Sequence, residues 1–137
     1  DRFLEQHAPE IQANGNILLF DNGGCTHCPD EIRMDYQRGW SRAIEIAYDT
    51  STWTAEVVWE FRPQPDISSL IFGDADRLEN GNTLVTFGLD TRTNRPRVIE
   101  VTTTSEIVWE LTTPSSWNSY RAARVEPYYG HVVNDDN

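Results

Sequence analysis

The chain has 137 residues, 38% of them hydrophobic, 11% aromatic and 24% charged. That is the size and makeup of one ordinary globular domain, and it argues against intrinsic disorder. The 22 acidic residues outnumber the 11 basic ones, all arginine, for a formal net charge of -11, which excludes a general nucleic-acid binder and disfavours an anionic membrane surface.

No apolar run approaches the roughly 18 residues of a membrane-spanning helix. The chain starts Asp1-Arg2-Phe3, without Met and without a signal-peptide pattern, so a processed or truncated piece of a longer protein is expected. The first predicted strand runs from His7 to Gln12, before the turn signal Asn14-Gly15. Ile17 to Phe20 forms the next, a short apolar and aromatic run. Ala43 to Ile46 and Val57 to Phe61 follow, separated by the turn cluster Tyr48 to Thr52. Further on come Asp74 to Glu79, the turn Asn80-Gly81, Thr83 to Phe87, Val98 to Val101, the turn cluster Thr102 to Ser105, and Ile107 to Leu111. No segment sustains a 3.6-residue apolar period, although Glu31 to Tyr36 has room for one helical turn. The tail 131–137, which holds His131, is expected to fray.

The segments repeat in order. Asn14-Gly15-Asn16-Ile17-Leu18-Leu19-Phe20 returns as Asn80-Gly81-Asn82-Thr83-Leu84-Val85-Thr86-Phe87. Ser41-Arg42-Ala43-Ile44-Glu45-Ile46 returns as Pro96-Arg97-Val98-Ile99-Glu100-Val101, and Val57-Val58-Trp59-Glu60-Phe61 as Ile107-Val108-Trp109-Glu110-Leu111. Ala123-Arg124-Val125-Glu126 matches Asp76-Arg77-Leu78-Glu79 and opens a partial third copy. Short four-stranded units of this length, with a Trp near the last strand, predict an all-β fold of β-propeller blades. The expected layout is one blade over about 7–62, a second over about 73–112 and the start of a third over about 119–126. A sandwich or barrel of about eight strands is the competing fold. Propellers close with about 4–8 blades, so two alone would leave sheet edges and apolar faces open. The expected partners are therefore further blades, from the same parent chain or from other copies. Trp59 and Trp109 take equivalent places and are expected to pack between blades.

Cys25 and Cys28 stand in Gly23-Gly24-Cys25-Thr26-His27-Cys28-Pro29. A local disulfide, two free thiols and half a metal site all fit this spacing. Pro29 after the second Cys excludes haem attachment. A disulfide would imply an oxidising compartment, periplasmic or extracellular. Asp21-Asn22-Gly23 could offer oxygens to calcium or simply form a turn.

Several stretches carry a resemblance: Gln6-His7-Ala8, Phe20-Asp21-Asn22-Gly23, Ser41-Arg42-Ala43-Ile44-Glu45, Val57-Val58-Trp59-Glu60-Phe61, Gly73-Asp74-Ala75-Asp76-Arg77-Leu78-Glu79-Asn80-Gly81-Asn82 and Tyr120-Arg121-Ala122-Ala123-Arg124-Val125. In these the chain resembles the C-terminal blades of the arylsulfate sulfotransferase family, whose members are built on a six-bladed propeller. The resemblance implies transfer of a sulfuryl group from a phenolic sulfate to a phenol, with no cofactor and no nucleotide sulfate donor. It implies that His7 takes the group first, as a sulfohistidine. Asp74, Arg121 and Arg124, at the starts of inner strands, are the candidate substrate-binding residues. Plainer readings stand beside these: a hydrogen-bonded histidine at a strand start for His7, a salt-bridged strand for Asp74, Asp76 and Arg77, and a structural role for Arg124, which matches Arg77. His27 is expected in solvent, and no metal site is predicted. A non-catalytic binding or scaffold propeller, assembled as an oligomeric ring, is the alternative function, since this fold hosts unrelated activities.

Overall fold

The computed structural model describes residues 3–24 and 38–125. Short apolar, β-branched and aromatic runs bounded by turns form strands, several of them buried on both faces. Strand β1 (His7–Ile11) turns into β2 (Ile17–Asp21), then β3 (Arg42–Asp49) and β4 (Thr54–Phe61). A second series follows: β5 (Asp74–Arg77), β6 (Thr83–Asp90), β7 (Arg95–Val101) and β8 (Ile107–Thr112). They form two four-stranded antiparallel sheets, β1-β2-β3-β4 and β5-β6-β7-β8, each a meander in chain order. Among the described residues there is no helix.

The two inner hairpins close in the same way. Gly15 and Gly81 take φ of 87° and 85°, a left-handed conformation that glycine adopts without a Cβ clash. Their amides donate to Gln12 O at 2.8 Å and Leu78 O at 2.9 Å. The Asn14 and Asn80 side chains each accept the amide of the asparagine two residues on, at 3.0 Å. The strands before the turns differ by one residue. His7 pairs with Phe20 and Glu10 with Leu18, with a bulge between; in the other sheet Asp74 pairs with Thr86 and Asp76 with Leu84 without one. His7 and Asp74 are thus counterparts, and Ala8, at φ 48°, lies within the bulge.

The main core lies between the sheets. Leu18, Phe20, Ala43 and Phe61 from the first meet Ala75, Val85, Phe87, Ile99 and Val101 from the second, with Ile67 of the connection completing the cluster. The Phe20 and Phe87 rings meet edge to face with centroids 5.2 Å apart. Gly73, at φ 145°, lies where a Cβ would run into the Phe20 ring. Trp59 Nε1 donates to Thr103 O at 3.1 Å and Ser105 Oγ to Glu60 O at 2.9 Å, tying the outer strand of the first sheet to the β7–β8 turn of the second.

The far face of the second sheet has no such cover. Phe61 is 3% exposed, whereas its counterpart Leu111 is 47% exposed, and Trp109 is 43% exposed. Among the described residues, 119–125 follow β8 back to the second sheet, anchored by Ser119 N donating to Gly88 O at 3.0 Å. This segment, expected to open a further blade, forms no strand. The expected helical turn at 31–36 and the tail 131–137 lie outside the described residues.

Candidate active site

The motif residues converge on one buried polar network. Asp21, fully buried, accepts Leu4 N at 3.1 Å and Gly23 N at 3.2 Å on one carboxylate oxygen. Its other oxygen accepts Arg38 Nη2 at 2.5 Å and Arg42 Nε at 3.1 Å. A buried charge needs such partners, and these protein donors occupy both oxygens that the calcium reading would have required. The Arg38 guanidinium also stacks over Trp40, 4.5 Å from the ring centre.

Asn22, next along the chain, is also fully buried. Its amide nitrogen donates to Ser69 O at 2.5 Å and Phe72 O at 2.9 Å, both in the connection between the sheets. Ser41 Oγ donates to Asn22 O at 2.7 Å and accepts Ser69 N at 2.8 Å. Asn22 Oδ1 lies 2.7 Å from His7 Nδ1, and Glu5 O lies 2.9 Å from the same nitrogen. Non-glycine residues with positive φ gather here: Glu5 at 51°, Ala8 at 48° and Phe72 at 61°. Strained backbone of this kind persists only where its surroundings enforce it, and it clusters at functional sites.

A row of charged side chains runs along the strand starts. Asp74, 4% exposed, is the counterpart of His7, and Arg121 Nε approaches its carboxylate at 4.0 Å. Burial pushes the Asp74 carboxyl above the ordinary carboxylate value, with Arg121 opposing. Asp76 is pushed further, to about 6, by burial and by the charges of Asp74 and Glu10. Towards the Asn-Gly end of β1 and β5, Glu10, Asp76, Glu79 and Arg124 contribute to the lining of a cavity of about 540 Å³. His7 is not among its lining residues.

Two arginines on these inner segments are held by acids. Arg77 Nη2 donates to Glu45 at 2.6 Å and its guanidinium lies 5.1 Å from the Trp59 ring centre. Glu45 also accepts the side chains of Asn14 at 2.9 Å and Asn16 at 2.7 Å. Glu100 makes the same set: Asn80 at 3.2 Å, Asn82 at 2.7 Å and Arg124. Arg124 thus makes the ion pair of Arg77, one unit on.

Of the residues singled out in the sequence, His7, Asp74 and Arg121 share one end of the inner segments, while Arg124 lies at the other. Cys25, Cys28 and His27 lie outside the described residues, as does His131. Asn22 emerges only in three dimensions as the side chain that holds His7. Its signal was the Phe20-Asp21-Asn22-Gly23 motif itself.

The fold and site define an all-β protein of stacked four-stranded meanders, with a histidine at the start of an inner strand fixed by a buried Asp-Asn-Arg network. A family model for arylsulfotransferase (ASST) matches residues 1–121, and the chain belongs to that family. No curated protein matches it.

Proposed function

We propose that this chain is the C-terminal part of an aryl sulfotransferase that moves a sulfuryl group between phenols through His7. The observation that carries the reading is the setting of His7. Both neighbours of its Nδ1 are oxygens, which leaves the opposite ring nitrogen for chemistry. In the first half-reaction a ring nitrogen lone pair forms an N–S bond while the S–O bond to the donor breaks, and the phenolate that leaves takes a proton from solvent. In the second, an acceptor phenol oxygen bonds to sulfur, the N–S pair returns to the ring, and the phenol proton is released. Two steps of this kind give ping-pong kinetics. Charge builds on the sulfonate oxygens, so cationic donors govern the rate. Arg121, whose Nε lies 4.0 Å from Asp74, the counterpart of His7, is the candidate in this chain, and further blades would supply others.

The remaining blades are the proposed partners, completing a ring of about six in a periplasmic or extracellular enzyme. The uncovered Trp109 and Leu111 face supports this. The test is release of a chromogenic phenol from an aryl sulfate by the natural full-length protein, with and without an acceptor phenol. Replacing His7 by Ala or Asn should lower transfer by about 10³-fold or more, since no neighbour supplies the covalent step. Comparable rates in the variants would remove His7 from the mechanism. One observation favours a second reading, a non-catalytic propeller module. The inner row is rich in acid, with Asp74, Asp76 and Glu10 close together, and acid repels a sulfate. No turnover in the wild-type protein would select that reading.

A further inference from the structure

We propose that Asn22 is the positioning residue for His7: its amide oxygen fixes the neutral imidazole as the Nδ1–H tautomer and leaves Nε2 as the attacking atom. This rests on the transfer reading above and adds to it the group that aims the nucleophile.

An amide side chain has one accepting end and one donating end. The nitrogen of Asn22 faces Ser69 O at 2.5 Å and Phe72 O at 2.9 Å. Backbone carbonyls only accept, so the NH₂ group belongs there. A flipped amide would press its oxygen against two carbonyls. The oxygen end therefore faces His7 Nδ1 at 2.7 Å, and the other neighbour of that nitrogen, Glu5 O at 2.9 Å, is again an acceptor. A ring nitrogen placed between two acceptors carries the proton, and in the neutral ring the second nitrogen then holds a lone pair. The free side chain in water favours the opposite tautomer, so the protein imposes this one. Asn22 cannot drift, because it is fully buried and Ser41 Oγ holds its own carbonyl at 2.7 Å. The carbonyls that orient it belong to the connection leading into the second sheet.

The test combines ¹⁵N NMR of histidine-labelled full-length protein with steady-state kinetics. The His7 signal is assigned by its absence from the His7→Asn spectrum. The wild-type protein should show His7 protonated at Nδ1. Asn22→Ala should move the ring towards Nε2–H and lower kcat about 10²-fold with KM changed less than about 3-fold, as for other groups that orient a reacting side chain. A wild-type ring protonated at Nε2 overturns the proposal, and this measurement needs no variant to fold. So does an Asn22→Ala protein that loses activity while His7 keeps the Nδ1–H signature, since Asn22 would then be purely structural. A wild-type protein that transfers no sulfuryl group overturns the transfer reading, and the catalytic meaning of the tautomer with it, a result the spectrum alone cannot produce.

Discussion

Asp76 is a half-hidden carboxyl among other acids, and its behaviour follows from that setting. Burial and the charges of Asp74 and Glu10 lift it from the ordinary 3.8 to about 6. Between those two values the folded protein holds a proton that the unfolded chain has lost. Stability therefore falls as pH rises from about 4 to 6 and levels off above, by linkage. Asp76→Asn should remove that slope and stabilise the protein at pH 7 by about 1 kcal/mol after allowance for solvent screening. Urea midpoints at pH 4, 6 and 7.5 check it, and a variant less stable than wild type at pH 7.5 would contradict it. At this scale the place of His7 at the start of a strand was legible in the sequence; its role in transfer is the proposal above. The part of Asn22 was not. Its partners lie 15, 47 and 50 residues away, and only the path of the connection between sheets brings them together. Asp21-Asn22-Gly23 read as a turn or an ion site for the same reason: nothing local shows that Arg38 and Arg42 will claim the carboxylate.

Pairs of strands repeat one device. A glutamate on the third strand, Glu45 or Glu100, accepts both asparagines of its own Asn-Gly-Asn turn and an arginine from the next inner segment. Burial would raise the Glu45 carboxyl, but Asn14, Asn16 and Arg77 together hold it below its ordinary value. Its contribution is thus present above that ordinary value and is lost as pH falls through the depressed one. Glu45→Ala strands two amides and a guanidinium and should cost about 2–3 kcal/mol. Glu100→Ala should cost less, about 1 kcal/mol, because the side chain of its arginine is 48% exposed. Thermal unfolding of the two variants compares them, and equal losses would rule out this ranking. The strands themselves were legible, since β-branched runs between Asn-Gly turns leave few alternatives. The bulge at Ala8 was not, because one extra residue in β1 shows only against the pairing of β5. The segment 119–125 matched an inner strand in sequence but forms none and pairs with no described strand.

On the scale of the molecule, one sheet face is packed against its neighbour and the next is covered by no described sheet. The first sheet buries Phe61 against the second, while Leu111 and Trp109 keep nearly half their surface in water. The 137-residue chain alone is expected to self-associate rather than persist as a cooperatively folding 15.7 kDa monomer. Multi-angle light scattering across a range of concentrations checks this, and a stable monomer at every concentration would contradict it. The stacking of units was legible from the repeat, but the seam between them was not, because it depends on the 62–73 connection, which has no counterpart motif. That seam has a consequence for control. His7 belongs to one sheet, yet the carbonyls that aim its Asn22 clamp come from the strap leading into the other. Prising the sheets apart by a fraction of an ångström would let the amide swivel while every strand stayed intact. On the transfer reading, the histidine would then act as a mechanical gauge, losing its aim at a parting of the seam far too small to register as melting.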